Sequence, residues 1–411
     1  MSPDRQVFKP RTLILFSLII SILALISTPQ SRLALLVKQI LPPSLPYFNL
    51  RPFHSTRPHP RTMSSYSHEI DIALLAVQRA TLLTQKVFHN NAKGTLSKDD
   101  RSPVTIGDFG AQALIIAALR HNFPHDEIVG EEEASSLRDN PSLAEQIFAL
   151  VRESKLDDSS AENRLGGPIK DLDAMLAAID AGKSSGGSKG RIWALDPVDG
   201  TKGFLRGGQY AVCLALMVDG DVKVGVLGCP NLPVDDAAPI SADVGGEGKG
   251  VLFAAVQGQG ATSRPLTEGA LASAKTIAMK GVGDITQATF CESVEAAHSS
   301  HGDQAAIATR LGITQESVRM DSQAKYGSIA RGAGDLYLRL PVRKDYEEKI
   351  WDHAAGDLIV REAGGEVTDA EGKRLDFSIG RTLKANKGVV AAPRGVHGKV
   401  LEVVKEVLSN K

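Results

Sequence analysis

Apolar and polar positions recur along this chain with two periods, and each change of period marks a new element. In EIDIALLAVQRATLLTQKVF, Ile70, Leu74, Val77 and Thr81 fall at helical spacing and predict a core-facing helix. DFGAQALIIAALRHNFP predicts a second helix, opening near Asp108, a residue type suited to an N-cap, and stopping before Pro124. EIVGEE reads as a short strand ending in acids. Between residues 134 and 190, LAEQIFALV and DLDAMLAAID are helical, and a flexible GKSSGGSKG precedes the strand RIWAL. QYAVCLALMV and VKVGVLGC, joined through Asp-Gly, predict a hairpin, and GVLFAAVQGQG another strand. Beyond 280 follow a helix around 303–311, a helix from about 323 and the strand DLYLRLP. The helix IWDHAAGDLIVREAGG and the strand GVVAAP come after them. This is an α/β pattern without internal repeats, with a boundary expected near 265–280: an α+β part over 66–270 and an α/β part over 271–411.

The first 65 residues differ in kind and are excluded from the fold. No Asp or Glu occurs between Arg5 and His68, whereas Arg5, Lys9, Arg11, Arg32, Lys38, Arg51, Arg57 and Arg61 are basic. The apolar run Leu13–Ile26 is short of the about 20 residues a spanning helix needs, which fits a signal-type region or a short anchor. Arg and Ser enrichment without acids resembles a mitochondrial presequence, while a start at Met63 would give a cytoplasmic form. The address stays open between these, and membrane contact is expected only through the leader.

Composition narrows the chemistry. With 411 residues and 42% hydrophobic content the chain can bury one large or two medium cores. A net charge of −1 excludes a charge-driven binder of nucleic acid polymers. Cys213, Cys229 and Cys291 are too few and too scattered for a disulfide framework or a thiolate metal site, and are expected as buried apolar residues. Any metal site must therefore use oxygen ligands.

Such ligands cluster in DPVDGTKG, Asp196–Gly203. Asp-Pro and Asp-Gly are turn dipeptides, so a surface turn is one reading. The other is a cradle: Pro197 keeps Asp196 extended, and a strand ending there releases two carboxylates and the Val198 carbonyl at a sheet edge. These are hard donors suited to magnesium, which completes its shell with water and phosphate oxygens. Gly200 lets backbone approach a ligand, and Thr201 could open a helix whose free N–H groups meet phosphate. Glu131, at the end of EIVGE, could add a bridging carboxylate, whereas Glu132 and Glu133 read as a solvated face. Asp108 and Asp352 each sit where a plain helix cap is the simpler explanation.

Together, SPVTIGDFGAQ, VGEEEASSLR, WALDPVDGTKGFLRGGQYAV and WDHAAGDLIVREAGGEVTD resemble a superfamily of lithium-sensitive, magnesium-dependent phosphatases. Its members include inositol monophosphatases, fructose-1,6-bisphosphatases and 3′(2′),5′-bisphosphate nucleotidases. The resemblance spans about residue 68 to the C-terminus. It implies a layered α-β-α-β-α sandwich of the inositol monophosphatase type, with metal bound by the N-terminal part and nucleotide by the C-terminal part. Two or three magnesium ions would be held by Glu131, Asp196, the Val198 carbonyl, Asp199 and Asp352. Asp108 and Thr201 would form the acid–threonine pair that activates water. Inositol monophosphatases usually continue Thr-Thr-Asn-Phe after the first Asp-Gly, whereas this chain has Thr201-Lys202-Gly203-Phe204. That difference, with SVEAAHSSHGDQ and MDSQAKYGSIARGAGDLYLRLP, is similar to the bisphosphate nucleotidase branch.

The resemblance then places His298 against the adenine or ribose. Ser322, Lys325 and Arg339 would hold the rest of a nucleotide bisphosphate, with Asp199, Gly200, Thr201 and Asp352 also touching it. Considered singly, Lys325 reads as solvated charge and Arg339 as strand-edge charge. The implied reaction releases the 3′-phosphate of adenosine 3′,5′-bisphosphate, and of its sulfo derivative, in support of sulfate assimilation. Phosphatase action on inositol phosphates is the rival expectation. An inactive metal or nucleotide sensor is the rival of another class.

Overall fold

The two N-terminal periodicities become α1 (Ser67–His89) and α2 (Ile106–Asn122). Leu74, Val77 and Thr81 are buried along α1, with Ile70 at the edge of that face. The computed structural model describes residues 65–409 apart from 90–94, 98–102, 239–240, 243, 245–246, 297–298, 341 and 344. The leader, including the run 13–26 and Met63, lies outside the described residues. Among those described, no helix is long and apolar enough to cross a membrane.

After α2, β1 (Glu127–Gly130) leads through α3 (Pro141–Glu153) and α4 (Leu172–Asp180) into β2 (Arg191–Asp199). The stretch GKSSGGSKG is tied down at its start, since Ser184 donates to the Ile128 carbonyl at 3.0 Å. A six-residue α5 (Thr201–Arg206) separates β2 from the hairpin β3 (Ala211–Val218) and β4 (Asp221–Pro233). Asp219 and Gly220 turn that hairpin with φ of 51° and 80°, the left-handed pair that Asp-Gly supplies. β5 (Lys249–Val256), β6 (Ala261–Pro265) and β7 (Lys275–Ile277) complete a sheet in sequence order, antiparallel except for the parallel pair β1–β2.

A second sheet runs in the order β9-β8-β10-β12-β11. Its strands are β8 (Phe290–Glu292), β9 (Val318–Arg319), β10 (Leu336–Arg339), β11 (Gly365–Thr368) and β12 (Val389–Pro393). Its helices are α6 (His301–Leu311), α7 (Ala324–Ala330), α8 (Ala354–Glu362) and α9 (Arg394–Ser409).

Side-chain alternation assembles five layers. Trp193, Leu214 and Leu252 face α1 and α2 on the outside of the first sheet. Ala194, Cys213 and Phe253 point the other way, toward Tyr326 and Ile329 of α7 and Leu358 of α8. Along β12, Val389 and Ala391 join this central core, while Val390 and Ala392 turn to Ile307 of α6 and Val400 and Val404 of α9. The result is the expected α-β-α-β-α sandwich. All three cysteines are buried and none is in a disulfide.

Met63–Lys411 form one compact unit, because α7 and α8 cover both sheets. We propose that the two halves meet within the expected range 265–280, at its far end, since Lys275–Ile277, beyond the cut at 270, still belongs to the first sheet.

Candidate metal and phosphate site

β1 and β2 are parallel, so their C-terminal ends open at the same sheet edge. Gly130 lies opposite Leu195, which brings Glu131 beside Asp196. Pro197 cannot donate to the ladder, and pairing with β3 is interrupted between Asp196 and Asp199. Within that bulge Asp196 Oδ1 accepts from the Val198 amide at 3.1 Å, and the Val198 carbonyl accepts from the Thr201 hydroxyl at 3.1 Å. Gly200 turns the chain with φ of 85°, and a Cβ there would lie 3.1 Å from the Ser322 side chain. Thr201 opens α5 as expected.

Asp352 is not the cap of α8. It ends a single 3-10 turn, Ile350–Asp352, before the helix begins at Ala354. Gln323 links it to the other acids. The Gln323 amide donates to Asp199 Oδ2 at 2.5 Å, its Nε2 donates to the Trp351 carbonyl at 2.7 Å, and its Oε1 accepts from the Gly356 amide at 2.9 Å. Asp108 is not a cap either: Thr105 caps α2, and Asp108 is the third helical residue of a capping box. Its Oδ2 accepts from the Thr105 amide at 2.8 Å and the Thr105 hydroxyl at 2.5 Å.

Glu131, Asp196, Asp199, Asp352, Lys325 and Arg339 line one cavity of about 970 Å³, with Val198, Gly200, Thr201 and Ser322 also on its wall. Burial raises the Asp196 carboxyl well above its usual range, and the charges of Glu131, Asp199, Asp352 and Asp108 push the same way. Asp352 is likewise raised by burial against the pull of Arg339. Burial brings Asp199 up to about 6, although Lys325, the Gln323 amide and Arg339 oppose it. A set of hard oxygen donors whose ionised forms repel one another fits a divalent cation.

The cationic wall is built differently from the solvated charges that single residues suggest. Lys325 is 3% exposed; its Nζ donates to the carbonyls of Met320 at 3.0 Å and Ser322 at 2.8 Å. Those bonds hold a turn in which Ser322 takes a left-handed φ of 69°. Burial lowers the Lys325 ammonium to about 8 against the pull of Asp199 and Asp321. Arg339 is not at a sheet edge, since β10 lies between β8 and β12. Burial opposes its charge most strongly, but Glu348, Tyr337, Asp352 and Tyr346 together raise its pKa. Burial pushes the Glu348 carboxyl up, but Arg339 and His353 together bring it down to about 2. His298 lies outside the described residues.

Four supports escaped the motif reading. Gln112 accepts from the Glu132 amide at 3.0 Å and donates to the Glu132 carbonyl at 2.7 Å. Arg381 donates to the Gly130 carbonyl at 2.7 Å, so Glu131 is held from both sides. Glu132 is therefore buried, at 4% exposure, and only Glu133 is solvated. Glu348 and His353 stand behind Arg339; the adjacency of His353 to Asp352 and the place of Gln112 in SPVTIGDFGAQ are the signals the sequence carries. The departure at Gly203 also has a cause: a Cβ there would sit 2.4 Å from Asp321 Oδ2 and 2.6 Å from the Gln209 carbonyl.

The model of the Inositol monophosphatase family matches residues 65–409. The chain belongs to the inositol monophosphatase family. This is a family of metal-dependent phosphatases, generally using magnesium. A 3′(2′),5′-bisphosphate nucleotidase of Emericella nidulans is 68% identical over 349 residues, covering 84% of this chain and 99% of the relative. The 3′(2′),5′-bisphosphate nucleotidase of Schizosaccharomyces pombe is 48% identical over 350 residues, covering 84% and 97%. Among solved structures, the Thermotoga maritima IMPase aligns with a TM-score of 0.53 at 19% identity, covering 83% of this chain and 98% of that one. An inositol monophosphatase from Anabaena gives 0.51 at 18%, covering 84% and 97%. These structural matches bear on the fold, and they agree with the five layers.

Proposed function

We propose that this chain is a 3′(2′),5′-bisphosphate nucleotidase that hydrolyses the 3′-phosphate of adenosine 3′,5′-bisphosphate to give AMP and phosphate. 3′-Phosphoadenylyl sulfate is a second substrate of the same site. The observation that carries the reading is the pairing of four carboxylates with buried Lys325 and Arg339 in one cavity. Glu131, Asp196, Asp199, Asp352 and the Val198 carbonyl would hold two or three magnesium ions. Bound there, magnesium supplies positive charge that offsets the phosphoryl oxygens and lowers the pKa of a water molecule. Thr201 would orient the attacking water, its hydroxyl turning from the Val198 carbonyl to pass a proton to Asp108, which Thr105 fixes. Ser322, His298, Lys325 and Arg339 hold the nucleotide, and the two cations meet the phosphate that is not cleaved.

Identity to two nucleotidases across nearly their whole lengths supports this reading over an inositol phosphatase or an inactive sensor. Phosphate release from adenosine 3′,5′-bisphosphate, inositol 1,4-bisphosphate and inositol 1-phosphate, each with magnesium and with or without lithium, tests it. Strong, lithium-blocked preference for the nucleotide is expected; preference for either inositol phosphate overturns the substrate assignment.

A further inference from the structure

Behind Arg339 stands a buried chain of three side chains. Arg339 Nε donates to Glu348 Oε1 at 2.8 Å, and Nη2 lies 2.7 Å from Glu348 Oε2. Glu348 Oε2 is 3.2 Å from His353 Nε2, and His353 Nδ1 is 2.9 Å from the Tyr326 hydroxyl. Glu348, His353 and Tyr326 are 4%, 0% and 0% exposed, and none of them is on the cavity wall that Arg339 lines. Glu348, Asp352 and His353 lie close enough together to hold a cation. The two-point grip of Arg339 on Glu348 already places a positive charge there, so the cluster is better matched to orienting a guanidinium.

The guanidinium is planar, and fixing two of its nitrogens fixes the third. Nε and Nη2 are turned to Glu348, and Nη2 also lies 3.7 Å from Asp352. Nη1 makes no hydrogen bond to any described residue, so it is the nitrogen left to meet a ligand. Resting on the nucleotide reading above, we propose that Glu348 is the positioning residue for Arg339. Held in turn by His353, it aims Nη1 at the phosphate that is not hydrolysed and so sets the preference for substrates carrying two phosphates.

The test is steady-state kinetics of the full chain with magnesium, on adenosine 3′,5′-bisphosphate and on adenosine 3′-phosphate, which lacks the second phosphate. Glu348→Gln keeps the shape and removes the charge. It should raise KM for the bisphosphate about tenfold, change KM for the monophosphate less than about twofold, and lower either kcat less than about threefold. Adding Glu348→Gln to Arg339→Ala should raise KM no further than Arg339→Ala does alone. Equal KM increases for both nucleotides, or independent effects in the double variant, overturn the proposal. Should Glu348→Gln not fold, Glu348→Asp keeps the charge but retracts it, and the same selective rise in KM, about threefold, is expected. A parent enzyme that treats both nucleotides alike overturns this proposal alone, whereas a parent that releases phosphate from neither nucleotide sinks the nucleotide reading itself. Both results are visible before any variant is made.

Discussion

Magnesium should stabilise this fold more at about pH 7.5 than at about pH 5, because its carboxylate cage must shed protons to receive it. The Asp199 carboxyl is raised from 3.8 to about 6 in the folded chain. A carboxyl raised on folding binds its proton more tightly folded than unfolded. Its contribution to metal-free stability is thus full below 3.8 and is lost as the pH rises through about 6. Between about pH 5 and about pH 7.5 Asp199 alone accounts for a loss on the order of 1 kcal/mol. Asp196 and Asp352, both raised, act in the same direction. His353 and His397, lowered by burial, act oppositely, since their neutral forms favour the fold more as the pH rises. The metal-free curve therefore mixes both signs, whereas the gain on adding magnesium isolates the carboxylates. Urea unfolding with chelator and with excess magnesium at each pH measures that gain. It should be larger at the higher pH by on the order of 1 kcal/mol, roughly fivefold to tenfold in affinity. An equal gain at both values, or a larger one at the lower pH, would mean that these carboxyls are not what the cation displaces protons from.

Three substitutions probe other parts of the structure. Asp108→Asn should lower kcat by about 10²–10⁴-fold while nucleotide affinity, measured by calorimetry, stays within about threefold; loss of affinity in step with turnover would remove its proton-accepting role. Gly203→Ala should cost about 1–3 kcal/mol in urea unfolding, because its methyl meets the Asp321 carboxylate and the Gln209 carbonyl; an unchanged midpoint would show that the turn yields freely. Arg79, 1% exposed, pairs with Glu162 at 2.7 Å, so Arg79→Met should cost about 3 kcal/mol, with partial recovery on adding Glu162→Leu. No recovery would assign the loss to packing and to the Arg79 bond with the Leu114 carbonyl instead of to the stranded carboxylate.

The acids could be read from the sequence because their chemistry is local. Asp196 and Asp199 sit on either side of Pro197, and the interruption of β2 follows from the proline's missing N–H. Glu132 could not be read: three consecutive glutamates carry no periodicity, and the side chain that holds the backbone of the middle one, Gln112, is twenty positions away. Taken singly, Arg339 reads as strand-edge charge because strand order in the second sheet depends on which distant segments pair; only the resemblance points it to the nucleotide. The pairing of Glu348 with Arg339 likewise crosses from a loop to a central strand. Strands such as Val318–Arg319 and Lys275–Ile277 are too short to show a period of two. α9 is a different case, since Val400, Val404 and Val407 do recur at helical spacing, outside the elements expected above.

Gln323 has a consequence for the life of the chain before it is complete. It joins Asp199 to the turn that carries Asp352, two acids separated by much of the sequence, and neither half of the polypeptide contains the whole cage. A nascent chain emerging from the ribosome therefore has the first acids of the cage long before it has the last. With the metal assignment proposed above, it should stay inert toward phosphate esters until synthesis is well advanced. Turnover in this enzyme is thus a late event in its biogenesis, and its onset reports that the middle layer has closed.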